Sequence, residues 1–251
     1  MCLYPRLIRN PKYKANKKNG GNVPYMKDSR VASVPIGCGE CIECCKQKAN
    51  NWRVRLQEDI KDYKEMKFVT LTFSNESYRE LYNLTEGDGY IRDNKIAALA
   101  VRRFLERWRK KYKKSLRHWL ITELGHGKTE HLHLHGIVYT NELKEVENIW
   151  SYGWVWKGYE KSGKIENYVN EKTINYIVKY VTKKDLKHKT YIPIILCSAG
   201  IGAGYVNRHN FKNNKYNGDE TNTKYRTNTG TEIQLPIYYR NKAYHDRDWE
   251  T

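Results

Sequence analysis

Three histidines alternate with leucine in Glu130-His131-Leu132-His133-Leu134-His135-Gly136-Ile137-Val138-Tyr139. Alternation with period two is a strand signal, and it assigns every residue to a face. Leu132 and Leu134 then point into packing, while His131, His133 and His135 share the opposite face. Imidazoles on one face are ready ligands for a divalent ion. The plainer reading is a row of surface histidines, or one satisfied buried histidine. Glu123 argues for the metal. Trp119–Leu124 reads as a second strand, and a turn over Gly125–Lys128 makes the pair a hairpin. The Glu123 carboxylate then stands beside the imidazoles. Two imidazoles and one carboxylate leave coordination positions for water or a phosphate oxygen.

About forty residues on comes Tyr176-Ile177-Val178-Lys179-Tyr180-Val181-Thr182-Lys183. The pattern predicts a helix from roughly Lys172 to Lys184. Tyr176 and Tyr180, four apart, fall on one face of it, with Cβ atoms about 5–6 Å apart. Lys179 and Lys183 each follow a tyrosine by three. A free tyrosine has a pKa near 10, so roughly a thousandth is phenolate at neutral pH. A nearby ammonium lowers that cost. Two core tyrosines of an amphipathic helix are the competing reading.

Lys plus Arg number 46 against 28 Asp plus Glu, a formal net charge of +18. That excess points to a polyanion, with nucleic acid the default partner. A helix is expected from about Asn94 to Ser115, N-capped by Asp93, with Ala97, Val101, Phe104, Leu105, Trp108 and Tyr112 as its apolar stripe. Arg102, Arg103, Arg107, Arg109, Lys110, Lys111, Lys113 and Lys114 crowd the rest, and only Glu106 opposes them. A solvated face mixes signs, so these eight are candidate DNA contacts. The 21 tyrosines and 7 tryptophans can stack on unpaired bases as well as fill a core.

Ile42 to about Met66 reads as a first helix, and Phe68–Phe73 as a buried strand. Residues 9–34 read as a polar arm and 74–92 as loop. A short helix is expected over Glu142–Trp150 and a strand over Tyr152–Trp156. The segment from Gly204 shows little periodicity; it is expected to wrap the surface or bind DNA rather than form a separate core. No apolar run approaches the roughly 20 residues that span a bilayer. The first residues lack a signal peptide's apolar stretch, so no membrane partner and a cytoplasmic location are expected.

Cys38, Cys41 and Cys44 have C-x₂-C-x₂-C spacing, and Cys2 can supply a fourth thiolate to a structural zinc. An iron–sulfur cluster or no metal are the alternatives. Cys45 falls on the first helix's apolar stripe and is expected in the core.

Together these stretches resemble the replication initiators of small single-stranded DNA phages, the gokushovirus branch of the microviruses, within the HUH (His-hydrophobic-His) endonucleases. Met1-Cys2-Leu3-Tyr4-Pro5 is similar to that family's N-terminal start. Cys38-Gly39-x-Cys41-x-x-Cys44 with Trp52 and Arg55-Leu56 is similar to its cysteine segment. Phe68-x-Thr70-Leu71-Thr72-Phe73 resembles its first strand, and Glu123-x-Gly125 before His133-x-His135 resembles its glutamate and histidine strands. Tyr176-x-x-Lys179-Tyr180-x-x-Lys183-Lys184 resembles its paired-tyrosine helix. Ser198-x-Gly200-Ile201-Gly202 and Leu235-Pro236-x-Tyr238-Tyr239 resemble its late segments.

The resemblance implies an α+β fold, an HUH-type central antiparallel sheet flanked by helices, with an N-terminal cysteine-containing segment. It divides the chain into an arm, cysteine segment and first helix (1–66), a nickase core (67–203) and a polar C-terminal extension on or near the core (204–251). By alignment it favours His133 with His135, alongside Glu123, as ligands of a catalytic Mg²⁺ or Mn²⁺. His131 with His133 is the other pair. It implies rolling-circle initiation: one tyrosine cuts single-stranded origin DNA and keeps the 5′ phosphate, the second tyrosine cuts the regenerated origin, and the released 3′ end attacks the first phosphotyrosine to close the circle. Host helicase and DNA polymerase are the implied partners, and the host bacterial cytoplasm the location. The alternatives are another HUH nickase, such as a plasmid initiator, relaxase or transposase, and a non-catalytic zinc-dependent nucleic-acid-binding protein.

Overall fold

A computed structural model describes residues 2–16, 19–125, 130–183, 187–215, 217 and 220–243. The chain divides into two compact units, Met1–Lys48 and Ala49–Thr251.

In the first unit, β1 (Arg6–Arg9) and β2 (Ser33–Ile36) pair antiparallel, Arg6 opposite Ile36 and Arg9 opposite Ser33. The polar arm expected over 9–34 is thus closed at its base. Short 3₁₀ turns inside it, Pro11–Tyr13 and Ser29–Ala32, are capped by the side chains of Asn10 and Asp28. Both caps satisfy orphan backbone N–H groups. Helix α1 (Ile42–Asp62) starts in this unit.

The second unit continues with β3 (Met66–Thr72), α2 (Asn75–Asn83), α3 (Gly89–Tyr112), β4 (His118–Leu124) and β5 (Leu132–Tyr139). There follow α4 (Leu143–Ile149), β6 (Val155–Trp156), β7 (Tyr159–Lys161), β8 (Lys164–Glu166), α5 (Glu171–Thr182) and β9 (Ile195–Cys197). The C-terminal part adds α6 (His209–Lys212), β10 (Lys224–Arg226), β11 (Glu232–Gln234) and α7 (Ile237–Ala243). Five strands form one sheet in the order β6-β3-β5-β4-β9, every pair antiparallel. The histidine strand β5 is its centre. Among the described residues no helix is long and apolar enough to cross a membrane.

Side-chain alternation on β5 sorts the core into two layers. Leu132, Leu134 and Val138 join Ala97, Ala100, Val101, Phe104 and Trp108 of α3 on one face. Ile137 joins Leu56 of α1 and Ile174, Ile177 and Val178 of α5 on the other. The histidines at 133 and 135 therefore share the α1/α5 face. Gly136 permits the close fit of β5 on β4: a Cβ there would lie 2.1 Å from the Trp119 carbonyl oxygen.

Four expectations are corrected. Residues 74–92 are not loop: Ser74 caps α2 by accepting from the Ser77 N–H, and Leu81 is its buried residue. Asp93 does not cap α3, which begins at Gly89 after Asp88; the Asp93 carboxylate instead accepts from the Tyr78 hydroxyl. The polar C-terminal segment does build a core of its own, with Tyr205, Phe211, Tyr225, Leu235 and Tyr239 closing on Val54 of α1. Finally, Cys45 is half-buried rather than core, with its thiol 3.5 Å from the Glu40 carbonyl.

The C-terminal segment covers an α1 face that carries buried charge. Glu58 and Asp59 are each 1% exposed. Asp59 accepts from Arg117 (2.8 Å) and from the Gly202 N–H (2.6 Å), and Glu58 accepts from Arg208 (2.7 Å). Buried carboxylates persist only when paired in this way.

Candidate functional site

Helix α5 starts with a reciprocal cap: Asn170 accepts from the Thr173 N–H, and the Thr173 side chain returns to the Asn170 N–H. Ile174, Ile177, Val178 and Val181 are buried against the sheet. That orientation fixes the remaining positions. Tyr176 is half exposed, Tyr180 half-buried, and their hydroxyls are 2.8 Å apart. Lys179 is exposed at the next turn. Lys184 lies outside the described residues, as do 126–128 of the expected hairpin turn.

The sheet brings Glu123, His133 and His135 to this helix. Glu123 pairs with His133 across β4 and β5, and Thr70 with His135 across β3 and β5. The His135 ring is held at both nitrogens: Nε2 is 2.7 Å from Glu123 Oε2, and Nδ1 is 3.0 Å from Thr70 Oγ1. The Tyr180 ring stacks on it at 4.5 Å between centroids. Lys183 donates to Glu123 Oε1 at 2.5 Å, and its ammonium lies 5.3 Å from the Tyr180 ring centre. Two residues that the sequence motifs contain but to which they assign no role, Thr70 and Gly125, belong here. Thr70 fixes the His135 ring, and its signal was its place, two residues after Phe68, on the sheet's histidine face. Gly125 lies against His133, where a Cβ would come within 3.0 Å of Cε1.

Burial pushes the Glu123 carboxyl upward, but hydrogen bonds from His135 and Lys183 prevail and hold it below the usual carboxylate range. Burial, then the neighbouring His135, lowers the His133 imidazole and favours its neutral form. The Tyr180 phenol moves opposite to expectation. Burial raises it, followed by the hydrogen bond with Tyr176 and the charge of Glu123. The Lys183 ammonium, engaged by Glu123, does not offset these.

The donors meet only in part. Glu123 and His135 face each other, and the Thr70 bond to Nδ1 suits an imidazole that offers Nε2 to a metal. A carboxylate and an imidazole are donor types that divalent cations take, but here they hydrogen-bond each other directly, and Lys183 engages the second carboxylate oxygen. His133 is on the same face, its ring centroid 6.2 Å from that of His135. Among the described residues it does not converge with the other two. His131 precedes β5 and lines a cavity of about 320 Å³ with Tyr78, Tyr90, Asp93, Glu130 and His188.

The basic residues of α3 are elsewhere. Helix α3 covers the sheet face opposite the histidines. Arg107 donates to the Ile149 carbonyl and the Tyr152 hydroxyl, and Lys111 pairs with Glu145. Arg102 is 3.8 Å from Glu106, and Arg109 donates to Ser115. Arg103 is half-buried, whereas Lys110, Lys113 and Lys114 are exposed.

Residues 66–185 match the family model of the ORF2-type replication-associated proteins. The matched span runs from β3 past α5 and so holds the paired tyrosines, Glu123 and the histidines. It supports a replication-associated protein. No curated protein and no solved structure matches the chain.

In the first unit, Cys2, Cys38, Cys41 and Cys44 converge, their sulfurs all within 4.8 Å of one another. Cys2 and Cys41 Sγ are 3.8 Å apart, and Cys38 and Cys44 Sγ 3.9 Å. A tetrahedral zinc with bonds of about 2.3 Å requires S···S edges of about 3.8 Å. Backbone N–H groups of Cys38 and Cys41 point at the sulfurs of Cys2 and Cys38, each at 3.2 Å. Backbone N–H groups at Leu3 and Cys44 bring the Cys41 thiol down to about 6. The Gly39 amide favours the Cys44 thiolate, yet burial and the three neighbouring sulfurs push that thiol up to about 12. A Cys44 thiol held protonated by its neighbouring sulfurs is what a bound cation would relieve. The cluster can bind a metal such as zinc.

Proposed function

We propose that this chain is a rolling-circle replication initiator that nicks single-stranded origin DNA through a tyrosine of α5. The observation that carries the reading is the meeting of two tyrosine hydroxyls 2.8 Å apart with the His135–Glu123 pair on one sheet face. The family match to a replication-associated protein supports it.

In this reading a tyrosine Oη attacks the scissile phosphorus. A tyrosine–phosphate bond forms, the bond from phosphorus to the 3′ oxygen breaks, and the phenol loses a proton while the leaving oxygen gains one. The 3′ hydroxyl primes synthesis. The phosphotyrosine conserves the phosphodiester, so rejoining requires no other energy source. The second tyrosine cuts the regenerated origin, and the freed 3′ end displaces the first tyrosine to close a circle. A divalent ion, Mg²⁺ or Mn²⁺, held by Glu123 and His135 with His133 as the next donor, would supply polarisation of the phosphate. Lys183 orients Glu123. A zinc on the four cysteines has a structural role, and host helicase and polymerase complete the replication machinery.

The reading is tested by incubating the protein with a labelled single-stranded origin oligonucleotide and Mg²⁺. A covalent adduct that disappears in Tyr176→Phe/Tyr180→Phe is expected. An adduct that survives in the double variant contradicts it.

A further inference from the structure

Aromatic rings run from the paired tyrosines out to the edge of the sheet. Tyr176 stands edge-on to Phe68 at 6.0 Å between centroids, Phe68 to Trp156 at 5.4 Å, and Trp156 to Tyr159 at 5.6 Å. The inner rings, Phe68 and Trp156, are half-buried. The outermost ring, Tyr159, is 73% exposed, and Trp154, two residues before Trp156 along the chain, is 59% exposed. Large rings left in water beside a site, rather than turned into a core, mark an interaction surface.

We infer that these rings are a stacking track for the unpaired nucleotides that flank the scissile phosphate. The inference rests on the nickase reading and names where its single-stranded substrate lies. Bases stack on aromatic faces whatever their sequence, while a duplex hides its base faces. Exposed Lys172 and Lys179 on α5 and Lys161 and Lys164 on the β7–β8 hairpin stand ready for the sugar–phosphate chain. The exposed Glu160 and Glu166 keep that hairpin near neutral, so ring stacking dominates at its end of the track.

The test is equilibrium binding of the full chain to a fluorescein-labelled single-stranded oligonucleotide and to its duplex, across a salt series. Trp154→Ala and Tyr159→Ala should each weaken single-strand binding roughly fivefold to a hundredfold. Trp154→Phe, which keeps a ring, should recover most of that loss. The slope of log affinity against log salt should not change, because no phosphate contact is removed. Duplex affinity and thermal stability should stay at wild-type values. Unchanged single-strand affinity in the Trp154→Ala/Tyr159→Ala variant overturns the track, even if the wild type still forms a tyrosine adduct. Weakened single-strand binding with no wild-type adduct leaves the track standing and removes the nickase reading.

Discussion

The ring of Tyr180 lies flat on the imidazole of His135, 4.5 Å between centroids and 5° from parallel. This contact joins the two sequence motifs into one site. It also separates the tyrosines: Tyr180 is packed on the sheet, and Tyr176 stands outside it, 49% exposed. Burial disfavours the Tyr180 phenolate. Tyr176 is therefore expected to be the first nucleophile, and mass mapping of the adduct checks this.

Glu123 holds His135 with one oxygen and Lys183 with the other. Glu123→Gln should cut nicking by about a hundredfold or more, the scale set by losing a positioned electrostatic group. Its carboxyl is held below the usual range, so its stabilisation is complete above the unfolded value near 4.3 and drains as pH falls through the lowered folded value. The acid limb of a melting-temperature curve should accordingly be shallower in Glu123→Gln than in the wild type.

Gly125 leaves room for the His133 ring. In Gly125→Ala the new Cβ would come 3.0 Å from His133 Cε1 and 3.3 Å from the His131 carbonyl. Displacing an active-site side chain by a fraction of an ångström is expected to lower the nicking rate about tenfold to a hundredfold. Single-turnover rates and circular dichroism should show a slower enzyme with unchanged fold.

The four converging sulfurs should bind one metal. Protein purified without added metal should contain about one zinc per chain by elemental analysis. Cys38→Ser should lose it. Cys45→Ala should retain it, because Cys45 is not among the converging four.

Asp59 is buried between Arg117 and the Gly202 amide. Asp59→Ala leaves Arg117 on the Ala199 and Gly200 carbonyls but takes the acceptor from the Gly202 N–H and the Tyr139 hydroxyl, and should cost about 2–3 kcal/mol. Denaturant unfolding measures this, and the loss should far exceed that of Glu43→Ala, whose pair with Lys46 at 3.0 Å is at the surface.

Local periodicity made the site legible. Period two on β5 placed His133 and His135 on one face, and the four-residue spacing on α5 placed both tyrosines together. Other features lay beyond it. His131 needed strand geometry that does not extend past Leu132. The basic residues of α3 share no face with the site, because which side of a sheet a helix covers is set by chain crossings rather than by its own pattern. The C-terminal core comes from Tyr205, Phe211, Tyr225, Leu235 and Tyr239, spaced too irregularly for any periodic signal. Helix α2 escaped notice because one buried residue, Leu81, leaves no stripe. Lys183 was legible as a neighbour of Tyr180, but its engagement with Glu123 depends on a strand 60 residues away.

The central claim is that the paired hydroxyls of α5 do the cutting. Covalent capture of a 5′-phosphorylated fragment on the full chain, in Mg²⁺, across wild type, Tyr176→Phe, Tyr180→Phe and the double variant tests it most directly. The account predicts an adduct in the wild type, a surviving adduct in one single variant and none in the double. An adduct mapped to a tyrosine outside α5, or full cleavage by the double variant, would contradict it.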